Sequence, residues 1–152
     1  MSSPPAAASS ASSPASEQIA EIIDTFELLG DWDQRYQYLV EIGEKLAPME
    51  PADKSDANQV KECMSTVHVV AKADAAGNGQ LQYQGDCDTS IIKGVVALLV
   101  GLFSGKTPTE IEALDVDALF EGLRLEDHLS PSRHVGVYAI VNKMKGQALA
   151  FS

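Results

Sequence analysis

Cys63 and Cys87 are the only cysteines in this 152-residue sequence, and they are the residues best equipped to do chemistry. A thiol reacts as its thiolate, so partial exposure and nearby charge decide what it does. Cys63 sits between a polar stretch and a β-branched run, where a side chain is presented to a partner and then withdrawn. Lys61 favours its anion and Glu62 opposes it. On spacing alone, the residue reads more simply as a half-buried loop cysteine. A second chemistry is metal binding, because Cys63, His68, Asp86, Cys87 and Asp88 converge if a hairpin brings its ends together. Zinc and iron–sulfur sites want about four ligands with short paired spacings. The chain has no Cys-x-x-Cys pair, and no metal is assigned.

Other constellations fail on inspection. Gly101-Leu-Phe-Ser-Gly105-Lys106-Thr107 looks like a phosphate loop but is one residue short between the glycines and follows a helical pattern, not a strand. A helix C-cap at Gly105 accounts for it better. No Gly-x-Ser-x-Gly elbow supports a serine hydrolase, and His68, His128 and His134 carry no flanking signature. They read as surface or capping residues.

The elements that must position these residues are legible from periodicity. Ile19, Ile22, Ile23, Phe26 and Leu29 recur at helical spacing up to Gly30. Asp31 caps a second helix striped by Trp32, Tyr36, Leu39, Val40 and Leu46. Residues 47–58 form a loop. Residues 65–73 and 80–84 are strands, joined by Asp74-Ala-Ala-Gly-Asn-Gly, a hairpin signal because Gly and Asn tolerate positive φ. Asp88 or Thr89 then starts a helix that is apolar nearly all round and belongs at the buried centre. Short helices follow from Thr107-Pro108 and over 115–123, and a C-terminal helix opens at Ser130-Pro131. The order predicts an α+β fold, a small antiparallel β-sheet packed with several helices.

Composition bounds the function. The length suits one domain. Residues 1–16 are Ser, Ala and Pro plus Met, which predicts a disordered tail before a domain over 17–152. With 22 acidic against 11 basic residues and a net charge of -11, the chain is a poor match for nucleic acid, which asks for clustered Lys and Arg. The longest apolar run, 91–103, is too short to span a bilayer, for which about 20 residues are needed. Two cysteines make no disulfide framework and suit a reducing, cytoplasmic setting. The alternative is an organelle stroma, with the tail as a transit peptide, though no Arg precedes Arg35.

Asn58-Gln-Val-Lys-Glu-Cys63-Met-Ser65-Thr-Val67 resembles the cysteine loop of the SufE family, the sulfur acceptors that serve cysteine desulfurases in iron–sulfur cluster assembly. Further segments resemble the family in order. They are Asp33-Gln-Arg35-Tyr36 with Leu39, Gly43 and Leu46; Gly85-Asp86-Cys87-Asp88 with Ile92-Lys93-Gly94; Ser104-Gly105-Lys106-Thr107-Pro108; and His128-Leu129-Ser130-Pro131-Ser132-Arg133. The likeness covers about residues 18–150. It implies a fold shared with IscU-type scaffolds and a role for Cys63 as persulfide acceptor. The implied partners are a SufS-like desulfurase, which carries the pyridoxal phosphate, and an iron–sulfur scaffold as downstream acceptor; this chain needs no cofactor of its own. Lys93 and Arg133 are implied auxiliaries that steer an anionic persulfide, and Glu62, Met64, Ser65, Asp86 and Asp88 are expected on the docking surface. The alternative is a cluster- or zinc-binding scaffold on the same fold, using Cys63, Cys87 and His68.

Four positions depart from the family pattern. Glu62 stands where the family usually has Gly, Met64 where it has Gln, His68 where it has Trp, and Cys87 where it has Ser. A regular hairpin brings Cys63 and Cys87 to the same end, so Cys87 is a candidate to trap Cys63 as a disulfide or resolve its persulfide. The plainer reading is a Ser-sized packing residue.

Overall fold

The computed structural model describes residues 13–151 except Met64 and His128. Two helices come first, α1 over Ser13–Leu29 and α2 over Trp32–Glu44. Gly30 joins them at φ +82, a left-handed turn that glycine adopts without a Cβ clash. Asp31 caps α2 by accepting from Gln34 N at 2.9 Å. Arg35 fixes the angle of the pair, donating from Nε to Phe26 O at 2.8 Å while its guanidinium lies over the Trp32 ring. Helix α1 begins at Ser13, four residues before the expected start of the domain at residue 17; the remainder of the expected tail lies outside the described residues. The 47–58 loop contains two single 3-10 turns, Pro51–Asp53 and Asp56–Asn58.

Strands β1 (Val67–Ala73) and β2 (Leu81–Cys87) form an antiparallel hairpin in register from Val67↔Cys87 to Ala73↔Leu81. Gly77 and Gly79 supply positive φ in its turn, and Asp74 Oδ1 accepts from Ala76 N at 3.0 Å. Strand β2 outruns its expected end at Gln84. Gly85 and Asp86 look like turn formers, but pairing with Val69 and His68 holds them in the ladder. Gly85 is needed for space, since a Cβ there would lie 2.5 Å from Val96 Cγ1.

Because side chains alternate along a strand, Val67, Val69 and Ala71 share one face with Tyr83, Gly85 and Cys87. That face is buried, while His68, Val70, Gln84 and Asp86 stand on the half-exposed opposite face. Two helices cover the buried face. Helix α3 (Ser90–Phe103) buries Ile92, Val95, Val96, Leu99, Leu102 and Phe103, which accounts for its lack of a polar side. Helix α6 (Pro131–Leu149) is tied to both strands: Tyr83 OH donates to Met144 O at 2.6 Å and Gln147 Nε2 to Val69 O at 2.7 Å. Burial pushes the Tyr83 phenol up to about 12, so it stays a donor at any ordinary pH. Between α3 and α6 lie α4 (Pro108–Glu112), opened by a Thr107–Glu110 capping box, and α5 (Val116–Leu123), capped by Asp115. The result is the expected α+β arrangement.

Lys106 settles the phosphate-loop question. It is 7% exposed and donates inward to Leu102 O and to Gln18 Oε1. Its ammonium tethers α1 to the end of α3 and faces no open loop.

Candidate functional site

Cys63 lies in a short loop between the 3-10 turn Asp56–Asn58 and β1. The neck of the loop is pinned by Val60 N donating to Val67 O at 2.8 Å and by a bridge between Gln59 and His68. Val60 is buried beneath it. Inside the loop, Cys63 N donates to Val60 O at 3.3 Å. The thiol is half-buried and free. Its seat is a glycine of α6: a Cβ on Gly136 would come 2.9 Å from Cys63 Sγ and 3.3 Å from its Cα. The Cys63 sulfur thus rests against bare helix backbone, where any larger residue would push it away.

The far end of the loop is stitched to the junction between β2 and α3. Thr66 N donates to Asp88 Oδ1 at 3.0 Å, Asp88 N to Thr66 O at 3.2 Å, and the Ser65 and Thr89 hydroxyls meet at 2.6 Å. Asp88 and Ser65 therefore sit beside the loop, as expected, and also hold it. Glu62 is exposed at the loop tip; Met64 lies outside the described residues.

Cys87 closes β2 opposite Val67 and is 6% exposed. Its Sγ accepts from Thr89 N at 3.4 Å. Burial pushes the Cys87 thiol up, and the charges of Asp88 and Cys63 add to this against the Thr89 N–H and the Ser65 hydroxyl. Cys87 is an interior thiol, whereas Cys63 is half-buried.

Lys93, expected as an auxiliary that steers the persulfide, is ion-paired, with its Nζ 3.4 Å from Asp86 Oδ1. Asp86 is likewise engaged, with Lys54 Nζ 2.8 Å from its Oδ2. Burial raises the Asp86 carboxyl, but the Lys54 hydrogen bond, the Cys87 backbone N–H and the two ammonium charges outweigh it and hold it below the usual carboxylate range. Its place on the docking surface is thus that of a neutralised, tied-down group. The metal constellation also fails to assemble. His68 and Asp86 face one side of the hairpin and Cys87 the other, by the alternation of the pleat. Among the described residues no group of three or more His, Cys, Asp or Glu is placed to hold a metal.

Arg133 lies one helical turn before Gly136 on α6, so the two share a face. It is half-buried and lines a shallow groove with Tyr36, Ile91 and Leu129. Among the described residues no salt bridge is formed by it.

Gly136 escaped the sequence reading, and His134 read there only as a surface or capping residue. His134 lines a groove of about 720 Å³ between the cysteine loop and α6, together with Lys61, Glu62 and Tyr138. Its ring stands edge-on to Tyr138, and its Nδ1 is buried without a partner among the described residues. A glycine inside a helix, at a cost of about 1 kcal/mol against Ala, was the one available signal for the seat. Among the described residues no helix is long and apolar enough to cross a membrane.

The fold has a solved counterpart. The solution structure of a hypothetical protein from Thermus thermophilus superposes with a TM-score of 0.72 over 88% of this chain and 95% of that one, at 20% identity. At that identity the likeness speaks for the fold alone. The family model described as SufE, Fe-S metabolism associated domain, matches residues 20–148. That span takes in both strands, all of the loop around Cys63 and most of α6 with its glycine seat, and the chain belongs to the SufE family, with a role in iron–sulfur metabolism.

Proposed function

We propose that this protein accepts sulfur from a SufS-like cysteine desulfurase as a persulfide on Cys63, stimulates that enzyme, and passes the sulfur to an iron–sulfur scaffold. The observation that carries this reading is the state of Cys63: a free, half-buried thiol on a loop fixed at its neck and seated on Gly136. A persulfide is open to attack by reductants and oxidants. A thiol that comes out to meet a donor and returns to a fitted seat suits a carrier, whereas a permanently exposed thiol would lose its cargo.

The transfer is thiol exchange. The Cys63 thiolate attacks the terminal sulfur of the donor's persulfide, the donor leaves as thiolate, and Cys63 keeps the sulfur. Arg133, on the face of α6 that seats Cys63, supplies a positive charge for the anionic persulfide. Glu62, Ser65 and Asp88 surround the point of approach. The pyridoxal phosphate belongs to the desulfurase, and this chain brings a thiol and its seat. Two free cysteines suit a reducing compartment, so the cytoplasm is the proposed location.

The test is to mix desulfurase, free cysteine and this protein, then follow turnover and the mass of the peptide containing Cys63. Expected are faster turnover and a gain of one sulfur atom on Cys63. An unchanged Cys63 peptide alongside loaded desulfurase would overturn the reading.

A further inference from the structure

Cys87 takes no part in the sulfur acceptance proposed above, yet it is a second thiol at the junction to which the cysteine loop is stitched. It ends β2 at the rung shared with Val67, where the cysteine loop runs into β1. Ser65, whose hydroxyl reaches both Thr89 Oγ1 at 2.6 Å and the Cys87 thiol, is two residues from Cys63. Two residues of extended chain span about 7 Å at most. The two thiols are near enough that a charge on Cys63 is felt at Cys87. Cys87 reaches the loop from the interior, at 6% exposure, whereas a sulfur donor must approach the half-exposed Cys63 from solvent. Among the described residues the loop holds Cys63 by a turn bond to Val60, with its neck and far end fixed at Val60, Thr66 and Ser65.

The geometry points to Cys87 as a resolving thiol that discharges a persulfide held on Cys63. The inference rests on the reading of Cys63 as sulfur acceptor. A donor loads Cys63 from solvent, and the loop then turns the loaded sulfur from its Gly136 seat toward the interior Cys87 for displacement at the inner sulfur. Cys87 sulfur forms a bond to Cys63 Sγ, the bond from Sγ to the terminal sulfur breaks, and that sulfur departs as hydrosulfide, which takes up the proton that Cys87 gave. The sulfane sulfur gains two electrons and becomes sulfide; the two cysteines lose two and become a disulfide. No outside oxidant is needed, because the persulfide is the oxidant. Since burial keeps Cys87 protonated, discharge is slow. An acceptor that arrives promptly takes the sulfur first, and only a stalled carrier empties itself and locks.

The experiment loads the full chain chemically with inorganic polysulfide, removes the excess by desalting, and follows intact mass, tryptic peptides and released sulfide. Wild type should lose its extra sulfur as a Cys63–Cys87 cross-linked peptide appears, with one sulfide released per persulfide lost. Cys87→Ser and Cys87→Ala, each checked for native circular dichroism, should keep the persulfide several-fold longer and give no cross-link. Equal decay in wild type and both variants would overturn the proposal, as would absence of the cross-linked peptide or of sulfur uptake at Cys63. Loading by polysulfide bypasses the desulfurase. Failure of the enzyme to deliver sulfur would therefore count against the acceptor reading, and failure of discharge against Cys87.

Discussion

Gly94 and Gly136 both sit inside helices, and in both places a neighbour occupies the space a Cβ would need, but the neighbours differ in kind. At Gly94 on α3 it is the backbone of Leu39 on α2, reinforced by Gly43, whose own Cβ would stand 2.9 Å from Gly94 N. Two helices cross backbone to backbone there, and neither can give way. At Gly136 on α6 the neighbour is Cys63, a side chain on a short loop. One glycine lets two helix backbones cross, and the other seats a loop side chain. The same residue type serves helix packing in one region and the seating of a free thiol in the other.

The sharpest way to break this comparison is to fill both seats. Gly94→Ala forces a methyl against the Leu39 carbonyl and should lower unfolding free energy by about 3 kcal/mol, the upper end for overpacking, measured by urea denaturation. Loss below about 0.5 kcal/mol would mean that the helix crossing is loose. Gly136→Ala should cost little stability, because alanine's helix propensity returns about 1 kcal/mol and the thiol can swing aside. Its effect should appear instead as several-fold faster alkylation of Cys63 by iodoacetamide, together with shorter persulfide lifetime. An unchanged alkylation rate would remove Gly136 from the site.

A smaller effect concerns the opposite face of the hairpin. Asp86, held by Lys54 and Lys93, has a depressed carboxyl in the folded state. It therefore binds its proton more weakly folded than unfolded, and contributes stability above the unfolded value that is lost as pH falls through the folded one. Asp86→Asn should cost about 1 kcal/mol at neutral pH, the scale of a partly exposed ion pair. The difference from wild type should shrink as pH drops below the ordinary value of 3.8. A pH-independent difference would assign the role of Asp86 to packing.

The scaffold was largely written in local sequence, and the site was written only in part. Asp31, Asp115, Thr107-Pro108 and Ser130-Pro131 announce their helices because capping is a matter of adjacent residues. The hairpin turn announces itself through its glycines. Spacing alone reads Cys63 as a half-buried loop cysteine, which is how it is placed, and its candidacy as acceptor came from the family resemblance. Its seat was not legible: Gly136 lies far along the chain, and nothing local distinguishes a glycine under a thiol from one under a methyl. Gly85 shows the same limit, reading as a turn former until Val96 of α3 explains it as a space requirement within a strand. The pairing of Lys93 with Asp86 could not be read locally, because it depends on how α3 sets down beside β2. Local rules fix elements, whereas the identity of a partner across the fold depends on tertiary packing.

The central claim is that Cys63 carries the sulfur, and the most direct measurement is desulfurase turnover with free cysteine, alone and with this protein, as wild type and as Cys63→Ser. The account predicts stimulation by the wild type, accompanied by one sulfur atom gained on Cys63, and loss of that stimulation in the serine variant. Equal stimulation by Cys63→Ser would contradict it, and would make the protein a docking partner that activates the enzyme without taking its sulfur.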